Sequence, residues 1–304
     1  MKPSLRAVVA CLGVCAAVVL GGCQGRDEPE YAPRFSAEAP SSDPVYVFGV
    51  HPLHNPQRLH EVFSPLMAYL SAHIAGARFR LEASRNYAAY DEKLYARQFH
   101  FALPNPYQTI NAVKHGYRVF GKMGDDDNFR GIILVRKDSG IREVRDLRGK
   151  AVSYPAPSAL AATMLPQYFL HSHGIDVMHD IENRYVGSQE SSIMNVYLGD
   201  VAAGATWPPP WRALSRERPE LAAALEVRWQ TDPLPNNGLV VLPEVPETVV
   251  AQVGRLLFSL HESPEGRRLL APMELSRFEP ADDATYAPVR EFIHRFSAAV
   301  RPVE

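Results

Sequence analysis

The stretch Val45-Tyr46-Val47-Phe48-Gly49-Val50-His51-Pro52, with Leu59 to Ile74 and Ala77 to Glu82 after it, decides the fold class. Its first six residues are β-branched or aromatic around one glycine, which reads as a buried strand ending at His51-Pro52. Leu59, Val62, Phe63, Leu66, Met67 and Leu70 then recur at the spacing of one helix face. A second strand is expected from Ala77 to Glu82. Strand, helix and strand in that order argue for an α/β fold built on a parallel, doubly wound sheet.

Working outward toward the C terminus, the alternation continues. A helical stretch near Tyr87–Arg97 precedes a short strand at Phe99 to Leu103, and Tyr107 to His115 looks helical after Asn105-Pro106. Strands are expected at Tyr117–Met123 and Arg130–Arg136. The pattern restarts near Asp138-Ser139-Gly140, with strands at Ala151–Tyr154, Asn183–Val186 and Val201–Thr206. Helices are expected from about Ala159 to His171 and from Ser191 to Leu198. Leu239–Leu242 reads as a late strand, and Pro246 to Val300 as mainly helical, including Thr248–Ser259 and Pro264–Leu270. The run Asp125-Asp126-Asp127 reads as a solvated turn.

Toward the N terminus, Lys2 and Arg6 precede an apolar run from Ala7 to Leu20, and Leu20-Gly21-Gly22-Cys23 follows. A positive start, a short apolar core and small residues before a cleavage point make a secretory signal peptide. The core is shorter than the roughly 20 apolar residues that span a bilayer. The end of this segment resembles the bacterial lipobox. That resemblance implies cleavage after residue 22 and a lipoprotein acylated on Cys23 (palmitate being a usual chain), held in the periplasm or cell envelope by its anchor. Residues 23–43, with Gln24-Gly25-Arg26-Asp27-Glu28-Pro29-Glu30 among them, bury too little apolar surface to order themselves and read as a flexible tether.

The net charge is −2, and loss of Lys2 and Arg6 with the signal leaves −4, which provides no basic field for nucleic acid. The three cysteines, Cys11, Cys15 and Cys23, all lie in the signal or at its cut, so the remainder has no disulfide and no thiolate for a soft metal. There is no Gly-x-Ser-x-Gly, no phosphate loop and no paired carboxylates at a catalytic spacing, so an enzyme is not expected. His51 and His54 invite a metal, but their spacing lacks a third ligand, and no metal or cofactor is expected.

Four segments together resemble one family. They are Phe99 through Tyr107, Asp146-Leu147-Arg148-Gly149-Lys150-Ala151-Val152, Val186-Gly187-Ser188-Gln189-Glu190-Ser191-Ser192-Ile193, and Gly199-Asp200-Val201-Ala202-Ala203-Gly204-Ala205. Their order is similar to that of the periplasmic substrate-binding proteins for phosphate, phosphite and phosphonate uptake. The resemblance implies a two-lobed α/β architecture, the periplasmic-binding-protein type II fold, with two hinge strands and a ligand cleft between the lobes. Hinges are expected near Leu134–Ser139 and Asn236–Leu242. Lobe one then comprises residues 44–137 plus 240–304, and lobe two 138–239. The function implied is capture of a small oxyanion and its delivery to an ABC permease. A ligand-sensing component docking on a histidine kinase is the alternative, and a monomer is expected in either case.

Candidate ligand residues follow from strand ends and helix starts, where unpaired backbone N–H groups favour anions. Ser158 and Ala159 open a helix after Pro155-Ala156-Pro157, and Ser158 is either an oxyanion ligand or simply an N-cap. The family's usual Ser-Thr-Ser-Gly cluster is replaced here by Pro157-Ser158-Ala159-Leu160. Ser188, Glu190 and Ser191 start the next helix, where they either reach the cleft or cap the helix. Trp207 stands where the family often places an acid that reads an amino group, so an aromatic wall is expected instead. On the first lobe, His51, Tyr87, Asn105 and Tyr107 lie at strand carboxyl ends or just beyond, where open α/β sheets bind ligands. Either tyrosine serves as a phenol donor or as packing.

Overall fold

The computed structural model describes residues 43–303. The expected signal peptide, Cys23 and nearly all of the expected tether lie outside the described residues. The opening stretch forms as its pattern dictates: β1 (Val45–Val50), α1 (Pro56–His73) and β2 (Arg78–Ala83). Asn55 caps α1 by accepting from the Arg58 N–H at 3.0 Å, and Pro56 takes the first turn, where no amide hydrogen is needed. The apolar stripe from Leu59 to Leu70 is buried, each side chain contributing on the order of 2 kcal/mol relative to exposure.

The chain continues through α2 (Tyr87–Tyr95), β3 (Phe101–Leu103), α3 (Pro106–Lys114) and β4 (Arg118–Met123). Next come β5 (Ile132–Arg136), β6 (Ala151–Tyr154), α4 (Leu165–Ser172), β7 (Glu182–Tyr185), α5 (Gln189–Leu198) and β8 (Ala203–Thr206). Then follow α6 (Pro208–Glu217), α7 (Pro219–Ala224), β9 (Leu225–Gln230) and β10 (Gly238–Val241). The chain closes with α8 (Glu247–Ser259), α9 (Pro264–Leu270), β11 (Phe278–Glu279) and α10 (Ala287–Ala299).

Two sheets result. One has the order β11-β4-β10-β3-β1-β2 and the other β7-β6-β8-β5-β9. Neither is purely parallel, as the strand-helix alternation had suggested. β1 pairs parallel with β2 and β3, whereas β10 runs antiparallel between β3 and β4. In the second sheet β6 is parallel to β7 and β8, and β5 is antiparallel to β8 and β9. The reversed strands are β10 and β5, which begin where the chain arrives from the other sheet.

The expected boundary at 137/138 is therefore misplaced. β5 lies inside the second sheet, between β8 and β9, so the first crossing occupies residues 124–131 rather than Leu134–Ser139. The physical reason is burial on both faces: Ile132, Ile133, Leu134 and Val135 are all buried, which suits an inner strand of either sheet. The return crossing covers 231–237, overlapping the expected Asn236–Leu242 only at its start. The two crossings are tied together by Thr231 N–H to the Gly131 carbonyl (2.9 Å), Leu234 N–H to Phe129 (3.0 Å) and Met123 N–H to Asn237 (2.8 Å).

The acidic run is more than a solvated turn. Asp126 accepts from Lys122 Nζ at 2.8 Å and from the Asn236 N–H at 3.0 Å. Asp125 accepts from the Ser276 N–H and hydroxyl. Lys122 is buried and also meets Glu279 at 2.9 Å, so one ammonium pins the crossings to the edge of the first sheet.

Candidate functional site

The carboxyl ends of β1 and β3 and the starts of α2 and α3 face the starts of the second lobe's helices, and side chains meet across this seam. Asn105 is the N-cap of α3. Its Oδ1 accepts from the Gln108 N–H at 3.0 Å, while the Gln108 side chain accepts from the Asn105 N–H at 3.0 Å. This capping box fixes the Asn105 amide so that Nδ2 donates to the Ser158 carbonyl at 3.0 Å, across the seam.

Ser158 also uses its side chain across the seam, donating from Oγ to Asp91 Oδ2 at 3.2 Å. Asp91, on α2, accepts at its other oxygen from Gln108 Nε2 at 2.5 Å. Burial raises the Asp91 carboxyl to about 6, opposed by the hydrogen bonds from Gln108 and Ser158. Ala159 spends its N–H on the Ala156 carbonyl at 3.2 Å, so that donor is not directed at the cleft. A π-helical turn, Leu160–Met164, follows before α4 begins. The chain thus turns helical at Leu160, close to the expected start at about Ala159, but its first turn is π-helical, and Ser158 makes no side-chain cap.

Tyr87 begins α2, capped by Asn86, and accepts at its hydroxyl from Gln189 Nε2 of the second lobe at 3.3 Å. Gln189 is oriented by Thr206, whose hydroxyl donates to its Oε1 at 2.8 Å. Burial holds the Tyr87 phenol well above its ordinary pKa, so it stays neutral. Its ring sits edge-on to His51, with centroids 6.1 Å apart. His51 is buried at the end of β1, and its Nδ1 donates to the Leu103 carbonyl at 2.9 Å. Burial lowers the imidazole to about 4, partly offset by that hydrogen bond, so His51 is neutral at pH 7.

A third seam contact joins His54 Nδ1 to Glu190 Oε1 at 3.6 Å. The Glu190 carboxyl is pushed up by burial but held below its usual value overall by His54 and by the backbone N–H groups of Glu190 and Asn55. Its second oxygen is buried and has no hydrogen-bond partner among the described residues. Arg58 and Glu217 close the outer edge at 2.7 Å.

Two other expected residues serve the second lobe locally. Ser188 caps α5, accepting from the Ser191 N–H at 3.0 Å and donating to Ser191 Oγ at 2.9 Å. Trp207 is buried against Phe129 of the first crossing, ring centroids 5.6 Å apart, so it packs where an aromatic cleft wall was expected. Tyr107 is buried and lines, with Asp91, Tyr95, Ser158 and Arg301, a cavity of about 600 Å³ at the side of the seam. Arg301 reaches this place from beyond α10 and donates to the Pro157 carbonyl at 2.8 Å.

Sequence reasoning passed over Asp91, Gln108, Gln189 and Arg301. Asp91 carried a usable signal, since it lies four residues after Tyr87 and so on the same helix face. Gln189 stood between two residues already singled out.

The family of ABC transporter, phosphonate, periplasmic substrate-binding proteins matches residues 48–286. The phosphate-import protein PhnD of Mycolicibacterium smegmatis is 22% identical over 67% of this chain, which spans 66% of that relative's length, just under two thirds. The phosphonates-binding periplasmic protein of Escherichia coli is 19% identical, over 84% of this chain and 78% of its own. Among solved structures, the binding protein component of an ABC phosphonate transporter from Pseudomonas aeruginosa superposes with a TM-score of 0.77 at 18% identity, covering 84% of this chain and 88% of that one. PhnD1 from Prochlorococcus marinus, in complex with methylphosphonate, gives 0.77 at 18% identity over 83% and 98% of the two chains. These superpositions carry the two-lobed type II fold. With a family match covering most of its length, the chain belongs to the periplasmic substrate-binding proteins of phosphonate ABC transporters.

Proposed function

We propose that this protein captures a small phosphorus oxyanion between its lobes and delivers it to an ABC permease. It acts as a binding component and not as an enzyme. The single observation that carries the reading is the seam itself. Tyr87, Asn105, Ser158 and Glu190, each a candidate ligand residue from the sequence, come together there from the two lobes. Tyr87, Asn105 and Ser158 offer hydroxyl and amide groups, and neutral groups of this kind bind an anion without an excess of opposing charge. The same seam contacts that close the lobes over each other would be exchanged for contacts to the ligand.

A lipid on Cys23 would keep the protein at the membrane, with residues 23–43 as the leash. Among the described residues, no helix is long and apolar enough to cross a membrane. One lobe-closed monomer would then present its face to the permease.

The test is a thermal-shift screen of the purified full-length chain against phosphate, phosphite, methylphosphonate, aminoethylphosphonate, sulfate and an alkylsulfonate, with calorimetry on each hit. A phosphorus oxyanion raising the melting temperature and binding saturably supports the reading. Silence across all the phosphorus compounds overturns it.

A further inference from the structure

We propose that Asp91 is a specificity-determining residue of the interlobe site, which accepts oxyanions that carry a proton and turns away those that offer only acceptors. This inference rests on the oxyanion reading given above.

The geometry at Ser158 leads to it. A serine hydroxyl has one hydrogen, and Ser158 gives that hydrogen to Asp91 Oδ2. An anion seated at Ser158 therefore faces a carboxylate as well as a hydroxyl. Asp91 makes no ion pair with any lysine, arginine or histidine among the described residues, so no fixed cation offsets its charge. The phenols of Tyr87, Tyr90 and Tyr95 surround it from its own helix, and none of these is a source of positive charge. From α3 it meets the Gln108 amide and shares a cavity with Tyr107; Lys114, His115 and Arg301 line the same cavity without pairing to it.

Two outcomes are open to an oxyanion in this position. One with acceptor oxygens alone sets lone pairs against a carboxylate, a like-charge contact that is costly when buried. One that keeps a hydroxyl donates its proton to Asp91 and turns the same contact into a charge-assisted hydrogen bond. A monoprotonated phosphonate or phosphate has that hydroxyl. A sulfonate of the same size and shape does not. The replacement of a hydroxyl-rich loop by Pro157-Ser158-Ala159-Leu160 leaves fewer donors to outweigh the carboxylate, which sharpens the choice.

The experiment is calorimetric titration of the purified full-length chain with methylphosphonate and methanesulfonate at about pH 7, where a phosphoryl group still keeps its second proton in part of the population. The wild type is expected to favour methylphosphonate by about 10- to 100-fold. Asp91→Asn replaces an acceptor by a donor and is expected to narrow or invert that ratio. Ser158→Ala, which keeps the carboxylate, is expected to preserve the preference for methylphosphonate. Melting curves of both variants establish that each is folded. Equal binding of the two ligands by the wild type, or an unchanged ratio in folded Asp91→Asn, overturns this inference and leaves the oxyanion reading standing. Binding of neither ligand by the wild type overturns both.

Discussion

The Asn105 side-chain amide, fixed at the start of α3 by its own capping box, donates across the seam to the Ser158 carbonyl at 3.0 Å. One residue thus joins the local structure of the first lobe to the closure of the two lobes. Asn105→Ala removes a helix cap and an interlobe hydrogen bond together, for an expected loss of about 1–3 kcal/mol in urea unfolding. A loss below about 0.5 kcal/mol would show that neither contact matters to stability.

Gly204 sits in β8 where backbone approaches backbone. A Cβ there would lie 2.5 Å from Val196 Cγ2, 2.7 Å from Ser153 Oγ and 2.7 Å from the Ser192 carbonyl. Those neighbours are themselves tied down, since Ser153 and Ser192 hydrogen-bond to each other within the second lobe. Gly204→Ala is expected to cost about 1–3 kcal/mol through overpacking, read as a lowered melting temperature.

Two groups at the seam, the buried His51 and the half-buried Asp91, titrate in opposite senses. His51 is held at about 4 by burial, below the ordinary imidazole value of 6.5, so the unfolded chain binds more protons and stability rises with pH across that window. Asp91 is raised by burial to about 6 from 3.8, so the folded state binds more protons and stability falls with pH over nearly the same range. The two slopes largely offset in the wild type. Asp91→Asn should therefore show stability rising between about pH 4 and 6.5, and His51→Gln should show it falling. Each residual slope is on the order of 2 kcal/mol across the window, measured by denaturant unfolding at stepped pH.

Lys122 is buried between Asp126 and Glu279, and Asp126 in turn holds the return crossing through the Asn236 N–H. Lys122→Ala leaves two carboxylates facing each other without their cation. A loss of about 2 kcal/mol or more is expected, with faster hydrogen exchange concentrated in residues 124–131 and 231–237. Uniform exchange across the chain would argue against a local role at the crossings.

The first sheet's opening was legible because Leu59 to Leu70 follow one period and Val45 to Val50 another, and each period fits a single element. β5 was recognised as a strand but assigned to the wrong sheet. A strand buried on both faces has no polar side to tell which partner it joins. β9 was missed because Leu225-Glu226-Val227-Arg228-Trp229-Gln230 is an edge strand with mostly partly exposed or exposed side chains, following directly on two proline-started helices.

Of the candidate site, residues at strand ends and helix starts were legible because those positions recur in open α/β folds. The Ser158–Asp91 contact was not, since its partners stand 67 positions apart and come from different lobes. Ser188 and Trp207 show the converse. Their local sequence suits a ligand, and folding engages them instead in capping and in packing against Phe129.

The most direct measurement is calorimetric titration of the full-length chain with methylphosphonate, in the wild type and in Tyr87→Phe and Asn105→Ala. Saturable one-to-one binding by the wild type, weakened at least about fivefold in each folded variant, is expected of a seam that holds the ligand. Flat titrations for the wild type, or unchanged affinity in both variants, would contradict oxyanion capture between the lobes at this place.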